Sequence, residues 1–492
     1  MSRKTVVIGG GYAGLSVAAL LAKEGHKVTL LEKNNNLGGR ARVWKTQGYV
    51  FDMGPSWYLM PEVFERYFGL FRRKVSDFYE LKPLDPLYRI FFHKKEIVDI
   101  PANREGILKS FASLEKNGDK KLVAYLKQAK YKYDIAMNEF LYKEYKNLFS
   151  FLNWKMITQG TQLHVFATLD RFVRKYFHDH RARKILEYAM VFLGNSPQNS
   201  PALYSIMSHV DLNLGVWYPM GGMGMLVNAL EKLCIEYGVT IHTGEEVIGF
   251  EYGENQITSV KTTRGSYDAE IVVSSADYAH TERELLDTTH QTYPEKYWQS
   301  RIMAPSMFIM YLGLKKRLKN LTHHNLYFSL DWNKHFDTIF KNPSWPEDPC
   351  FYLSCPSKTD PSVAPEGKEN LFLLVPIAPG LVDNEDMRYQ YADYALKHVE
   401  HVIGESLTEA IEVKRIFTVS DYANDYHAFK GTALGMAHTL NQTAIFRPAH
   451  QSKRVKNLYY TGHYTHPGVG VPMVLIAAEI VSNLIKEKEK KL

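Results

Sequence analysis

The first forty residues alternate between short apolar runs and one amphipathic stretch. Residues 5–8 are a continuous apolar run, as expected for a parallel strand that is buried on both faces. Residues 15–24 carry apolar side chains at helical spacing, and Gly25 follows as a residue suited to a helix end. A second apolar run spans residues 27–31. The pattern therefore predicts a β-α-β unit at the start of the chain.

The same patterns predict elements further along the chain. Helices are predicted over 223–237 and 472–484, and strands over 239–243, 246–252, 257–263, 269–275, 307–314 and 371–377. Residues 76–214 read as mainly helical and are rich in aromatics. No internal repeat or low-complexity segment interrupts this order.

Three glycines, Gly9, Gly11 and Gly14, stand between the first strand and the first helix. Gly9 allows a tight turn, Gly11 allows the backbone to approach a pyrophosphate, and Gly14 allows close packing of helix and strand. Glu32 ends the second strand, where it can accept a hydrogen bond from a ribose hydroxyl. Strand, glycines, helix, strand and acid in this order predict a dinucleotide site.

Arg40 makes the cofactor prediction more specific. It follows Gly38 and Gly39, where a planar cation can pair with a diphosphate. A surface arginine after a glycine turn is the alternative interpretation. NAD enzymes do not need an arginine in this position, so the combination of the acidic residue with the Gly-Gly-Arg sequence favours FAD.

Three other loops are candidates for the site. Gly54-Pro55-Ser56 forms a rigid turn that can line a flavin, although such a turn is often only a loop. Residues 218–224 form a second glycine-rich loop, which close helix–sheet packing would explain equally well. Near the C-terminus, a Gly- and Pro-rich bend over 461–470 precedes the last helix. The N-terminus of that helix would stabilise an anionic reduced flavin.

Composition narrows the class of protein. With 492 residues, 45% hydrophobic and 23% charged, the chain is typical of a globular protein of two or three domains. The net charge of +7 comes without a nucleic-acid motif, so no nucleic-acid partner is expected. The three cysteines form no C-x-x-C pair, so neither a metal site nor a disulfide framework is predicted. The chain starts directly on a strand and contains no apolar run of about 18 residues, which predicts a cytoplasmic protein.

These observations predict an α/β protein. We expect a discontinuous FAD-binding, Rossmann-like domain over 1–75, 215–285 and 450–492. A substrate domain with a second, mixed sheet is expected over 76–214 and 286–449. It would include a helical subdomain over about 100–205, in which the aromatic and lysine-rich stretch 140–155 suits either a membrane interface or the subdomain's own core.

Five segments together resemble one known family. They are residues 214–219 with the following glycines, 322–324, 359–365, 415–418 and 465–472. This combination is similar to the bacterial-type phytoene desaturase family, FAD enzymes of the amine-oxidase-like flavoprotein superfamily. The resemblance extends from about residue 3 to about residue 485.

The resemblance implies a set of FAD contacts. They are Gly9, Gly11, Gly14, Glu32, Arg40, Gly54, Pro55, Ser56, the backbone of Val247, Gly462, Gly468, Val469 and Val471. His463 and Tyr464 depart from the family, which usually has small residues there. This bulk could reshape the pocket beside the flavin.

The resemblance also implies the reaction. 15-cis-Phytoene would be desaturated toward neurosporene or lycopene by hydride transfer to flavin N5 and loss of a proton, with oxygen or a quinone reoxidising the flavin. His466 and His463 are the candidate proton acceptors, although a histidine in a turn often only hydrogen-bonds the backbone. Because the substrate resides in membranes, we expect peripheral attachment to the inner face of the cell membrane.

Two alternatives stay open at this point. The same motifs would suit a desaturase, oxygenase or isomerase that acts on a C30 or later C40 carotenoid. A prenyl-lipid binding protein that has lost its flavin is the alternative from a different class, and the intact glycines, Glu32 and Arg40 argue against it.

Overall fold

A computed structural model describes residues 2–92, 96–144, 167–192 and 194–491. The strands are β1 Lys4–Ile8, β2 Lys27–Glu32, β3 Val43–Thr46, β4 Tyr49–Asp52, β5 Leu81–Pro83, β6 Tyr88–Phe92, β7 Ile97–Ile100, β8 Trp217–Pro219, β9 Thr240–Thr243, β10 Val247–Gly253, β11 Gln256–Thr262, β12 Ser266–Asp268, β13 Ile271–Ser274, β14 Ser306–Leu314, β15 His324–Phe328, β16 Phe351–Ser354, β17 Glu369–Ile377, β18 Ile411–Phe417 and β19 Leu458–Tyr460.

The longer helices are α1 Tyr12–Lys23, α2 Pro61–Leu70, α3 Arg104–Leu114, α4 Gly118–Ile135, α5 His180–Glu187, α6 Gly224–Glu236, α7 Trp332–Phe340, α8 Glu385–Ile403, α9 Val419–Tyr426 and α10 Val471–Glu489. Shorter α-helical segments cover Leu169–Val173, Ala189–Phe192, Ile206–Leu212, Tyr278–His280 and Glu295–Gln299. The predicted βαβ unit is present, with its helix starting at Tyr12, and the last helix continues to Glu489.

A five-stranded parallel sheet has the order β19-β13-β1-β2-β9. Its side chains alternate between two faces, as the strand geometry requires. Val7 points into a core shared with α1, α6 and α10, whereas Val6 and Ile8 point into a core shared with the antiparallel sheet β10-β11-β12. This part of the protein thus has three layers: the helices α1, α6 and α10, the parallel sheet and the antiparallel sheet. The strands of both sheets come from the segments 1–75, 215–285 and 450–492 that were predicted to bind FAD. The domain boundaries themselves stay a prediction.

A second, seven-stranded sheet has the order β18-β14-β17-β16-β15-β6-β7. Only the β15–β6 pair is parallel, so the sheet is mixed, as predicted. Every residue of β14 and β17 is buried, because α8 covers one face and a largely helical part covers the other. The α/β fold class is confirmed.

Most of the aromatic stretch 140–155 lies outside the described residues. Its two described aromatic residues both contact the rest of the protein. Phe140 lines the central cavity, and the guanidinium of Arg66 lies 4.2 Å from the centroid of the Tyr142 ring. In the described part of the chain, none of the helices has both the length and the apolar character needed to cross a bilayer.

Candidate active site

One cavity of about 560 Å³ begins at the carboxyl ends of β1, β2 and β13 and continues between the mixed sheet and the helical part. Open parallel sheets bind ligands at this edge. Thirteen of the predicted site residues line it: Gly9, Gly11, Glu32, Arg40, Gly54, Pro55, Ser56, Val247, Gly462, His463, His466, Val469 and Val471. Residues from six separate stretches of sequence thus share one space.

The N-terminus of α1 faces this cavity through Gly11. No side chain caps the helix there, so its first amides are available to an anion. A Cβ on Gly11 would meet nothing closer than 3.9 Å, which leaves room for a ligand beside the backbone. Gly14 does not line the cavity. A Cβ on Gly14 would lie 1.9 Å from the carbonyl oxygen of Gly9, so this glycine serves the close contact between helix and turn.

Glu32 lies at the end of β2 and is 5% exposed. Its Oε2 accepts a hydrogen bond from the Gly10 amide at 2.6 Å, and its Oε1 accepts from the Asn34 amide at 2.8 Å. Each carboxylate oxygen can accept further bonds. The glycine turn therefore fixes the carboxylate at the wall, where it can still receive a ribose hydroxyl.

Arg40 lines the cavity. Its Nε and Nη2 are buried without a hydrogen-bond partner, and Nη2 lies 3.7 Å from Oδ2 of Asp277. The loop at Gly54 lies against the Arg40 turn, since a Cβ on Gly54 would lie 2.2 Å from the Arg40 carbonyl oxygen. Unpartnered guanidinium donors are costly unless a ligand receives them. The donors of Arg40 and the open helix N-terminus fit the diphosphate of FAD.

The loop over residues 461–470, here called the C-terminal loop, forms part of the cavity wall. Gly462 has φ +123° and Gly468 has φ +119°, a region that residues with side chains rarely adopt. Gly468 does not line the cavity. A Cβ there would lie 2.4 Å from Cε1 of His438, so this glycine allows the loop to pack on that ring. No side chain caps the N-terminus of α10, which follows the loop.

The two candidate histidines have different environments. Burial lowers the pKa of His466 to about 4, and its Nε2 lies 3.2 Å from the main-chain oxygen of Phe140. Burial, with Arg40 and Arg447 nearby, lowers the pKa of His463 well below its ordinary value. Nε2 of His463 is buried without a hydrogen-bond partner. The buried ring of Tyr464 lies 5.9 Å from that of Trp298, so of the two bulky residues only His463 faces the cavity.

Sequence reasoning missed several groups around the C-terminal loop. His438 lines the cavity, accepts from the Val469 amide at 3.3 Å and lies 2.5 Å from the hydroxyl of Tyr204. Arg447 lies behind the loop and is 5% exposed. Tyr426, at the end of α9, lies beneath the guanidinium of Arg40 at 5.4 Å. These residues come from distant segments without a motif, so no local signal could have identified them.

The other half of the cavity is largely apolar. Its wall includes Leu203, Ile206, Met207, Val210, Met307, Ile309 and Leu374. Two buried ionisable groups interrupt this surface. Asp211 accepts through Oδ2 from the hydroxyls of Tyr88 and Tyr188, both at 3.0 Å, and burial raises its pKa to about 7. Lys132 donates to the Ala202 carbonyl at 3.1 Å, and burial lowers its pKa to about 7.

The second glycine-rich loop has a structural role. Asp52 accepts from the amides of Met223 and Gly224, at 2.7 and 2.9 Å, at the start of α6. Asp360 accepts from the Gly221 amide at 2.6 Å. This helix N-terminus is therefore occupied by a side chain, and none of residues 218–224 lines the cavity.

Comparison with known proteins identifies the class. The family model for flavin containing amine oxidoreductases matches residues 12–486, and the chain belongs to this family. A solved oxidoreductase from Methanosarcina mazei shares the fold, with a TM-score of 0.64, 17% identity and coverage of 98% of this chain and 100% of that one.

Curated relatives narrow the family. A carotenoid 3,4-desaturase of Haloarcula japonica is 44% identical over 98% of this chain and 97% of its own length. A zeta-carotene-forming phytoene desaturase of Myxococcus xanthus is 33% identical, over 98% and 93%. A 4,4'-diapophytoene desaturase of Staphylococcus aureus is 31% identical, over 99% of each.

The chain is thus an FAD-dependent oxidoreductase of the carotenoid desaturase type, and the resemblance seen in the sequence is confirmed. The alternative of a binding protein without flavin is set aside. The donors at Arg40 and α1 agree with FAD, whereas the individual contacts and the substrate stay predictions.

Proposed function

We propose that the protein desaturates a long carotenoid that enters the apolar half of the cavity. The observation that carries this proposal is the continuity of that half with the glycine turn and Arg40, across the C-terminal loop. Bound FAD would supply the acceptor for a hydride. The apolar wall would orient the polyene and exclude water, while Arg40 and the α1 amides would hold the diphosphate.

For the proton, we propose His463 as the acceptor. Its ring is held neutral and its Nε2 has no partner, whereas the Nε2 of His466 lies against a main-chain oxygen. Positioned general bases contribute about 10²–10⁴-fold to a rate. His466 would instead fix the position of the C-terminal loop against the end of the helical part.

For the substrate, we propose a C40 carotenoid that is already conjugated, desaturated at its 3,4 bond. The relative with 44% identity along almost the whole chain is a carotenoid 3,4-desaturase, and this supports the proposal. 15-cis-Phytoene, converted toward neurosporene or lycopene, is the second candidate, supported by the phytoene desaturase at 33% identity. Oxygen or a quinone would reoxidise the flavin.

We further propose that the protein attaches peripherally to the inner face of the cell membrane. Ile302 and Phe446 are 50% and 53% exposed. The side chain of Gln442 binds the backbone of Ile302, and Thr443 and Ala444, just before Phe446, line the cavity. An apolar surface beside the cavity would suit entry of a membrane-dissolved substrate. The double variant Ile302→Ser with Phe446→Ser should bind anionic liposomes more weakly, and the exposed Val382→Ser serves as the control.

A pigment profile tests the reaction. The chain is expressed in bacteria that accumulate either phytoene or a conjugated C40 carotenoid with a saturated 3,4 bond, and extracts are separated by liquid chromatography with absorption spectra. A red-shifted product from the second strain alone supports 3,4-desaturation, and loss of phytoene in the first supports the second candidate. Unchanged pigments in both strains, with flavin-loaded protein present, contradict the proposal.

A further inference from the structure

Arg447 is a buried arginine behind the C-terminal loop. Its guanidinium donates to four main-chain oxygens: those of His463 at 2.6 Å, Tyr464 at 3.0 Å, Gln442 at 3.1 Å and Met436 at 3.5 Å. Two of these carbonyls belong to the C-terminal loop itself. The arginine thus ties the loop to the segment 436–442.

The charge of Arg447 has no acidic counterpart. In the described part of the chain, no carboxylate lies within 4.0 Å of its guanidinium. Burial lowers the pKa of Arg447 to about 10, so the side chain stays charged near neutral pH. A buried cation without a carboxylate is costly, and carbonyl dipoles offset only part of that cost.

Three histidines next to Arg447 add no second positive charge near pH 7. Arg447 lowers the pKa of His438, His463 and His466, in each case together with burial as the larger cause. All three rings line the cavity and stay neutral near pH 7. Arg447 is therefore a permanent cation behind this wall, in addition to Arg40, which lines the cavity.

We propose that Arg447 is a positioning residue that sets the reduction potential of the bound flavin. It would hold the His463–Tyr464 backbone in place and supply a permanent positive field through the C-terminal loop. Such a field favours the more negative, reduced form of the cofactor over the oxidised form. This inference rests on the proposed seating of the flavin against the C-terminal loop and is independent of the carotenoid substrate.

The test is the two-electron midpoint potential of the flavin-loaded protein, measured by dye-coupled reduction without substrate. Arg447→Gln should shift the ratio of reduced to oxidised flavin about tenfold toward the oxidised form, a fall of about 30 mV. Arg89→Gln is the control, because Arg89 pairs with Asp99 across β6 and β7, away from the cavity. An unchanged potential in Arg447→Gln overturns the proposal.

Arg447→Lys provides a second test of the charge. A buried lysine keeps its positive charge at low pH but loses it at a lower pH than an arginine in the same place. At pH 5 the potential of Arg447→Lys should therefore lie closer to that of the wild type than the potential of Arg447→Gln does. Equal potentials of the lysine and glutamine variants at pH 5 overturn the electrostatic role. If the midpoint potential shifts as expected but the pigment test fails, only the proposed substrate is contradicted.

Discussion

Nη2 of Arg40 lies 3.7 Å from Oδ2 of Asp277, and neither atom has a hydrogen-bond partner. Both residues line the cavity, and their side chains form an ion pair without a hydrogen bond between these atoms. A buried guanidinium with unused donors is ready to bind an anionic ligand. Hydrogen bonds to that ligand would offset the free-energy cost of burying the guanidinium. We predict that the diphosphate of FAD is this ligand.

Arg40→Met should weaken FAD binding by about 10–100-fold, because a hydrogen bond to a charged group contributes roughly 1.5–3 kcal/mol. Arg40→Lys should recover part of the affinity, since it keeps the charge and loses the fork. The measurement is fluorescence titration of apoprotein with FAD, and Arg89→Met controls for loss of an arginine elsewhere. Equal affinities of Arg40→Met and the wild type would refute this role.

Gly14→Ala should abolish flavin loading, because its Cβ would lie 1.9 Å from the Gly9 carbonyl oxygen and would force the glycine turn away from α1. Gly69→Ala is the matched control within α2, where an added Cβ meets nothing within 4 Å. It should be neutral or stabilising by about 0.5–1 kcal/mol. The ratio of flavin to protein absorbance after purification measures both outcomes. Full loading of Gly14→Ala would show that the turn tolerates a side chain.

His463→Asn should lower the rate of desaturation by about 10²–10⁴-fold, as expected for loss of a positioned base. His466→Asn should stay within about tenfold of the wild type. Because both rings are neutral near pH 7, the wild-type rate should show no histidine limb between pH 6 and 8. The measurement is the single-turnover rate of flavin reduction by substrate. If His466→Asn reduces flavin more slowly than His463→Asn does, His466 is the acceptor.

Asp211→Asn should remove a pH dependence of stability. The pKa of Asp211 is raised from 3.8 to about 7, so the unfolded chain loses this proton above about pH 4 and the native protein only near pH 7. Native stability therefore falls across that window and levels off above it, by about 4 kcal/mol in total. The Tm difference between variant and wild type should shift in favour of the variant from pH 4.5 to 8. The exposed Asp287→Asn should show no such shift.

The parts of the fold that the sequence predicted depend on local patterns. Lys4 to Glu32 form one βαβ unit whose chemistry follows from residue spacing, and Gly462 to Gly470 form one loop before a helix. Sequence could not place Arg447 and Tyr426, because they come from segments with no motif and reach the site only through tertiary packing. Asp211 was missed for the same reason: it lies in the last turn of a short helix among aromatic side chains that look like ordinary core.

Tyr464 shows the limit of reading a motif by position alone. The departure at 463–464 suggested that two bulky side chains beside the flavin reshape the pocket. Alternation along the loop turns only His463 toward the cavity, while Tyr464 packs with Tyr278 and Trp298. The direction of a loop side chain depends on the backbone dihedral angles of the loop, and the loop is held by contacts with His438 and Arg447 from distant segments.

The parallel sheet joins both ends of the chain: β1 pairs with β13, β13 pairs with β19, and α1 and α10 share one core. The edge strand β19 and the C-terminal loop are therefore synthesised long after the glycine turn. The walls of the cofactor cavity are complete only once the segment 458–470 has joined the sheet. Chains cut short before residue 458 are accordingly expected to lack flavin and to be removed by proteases.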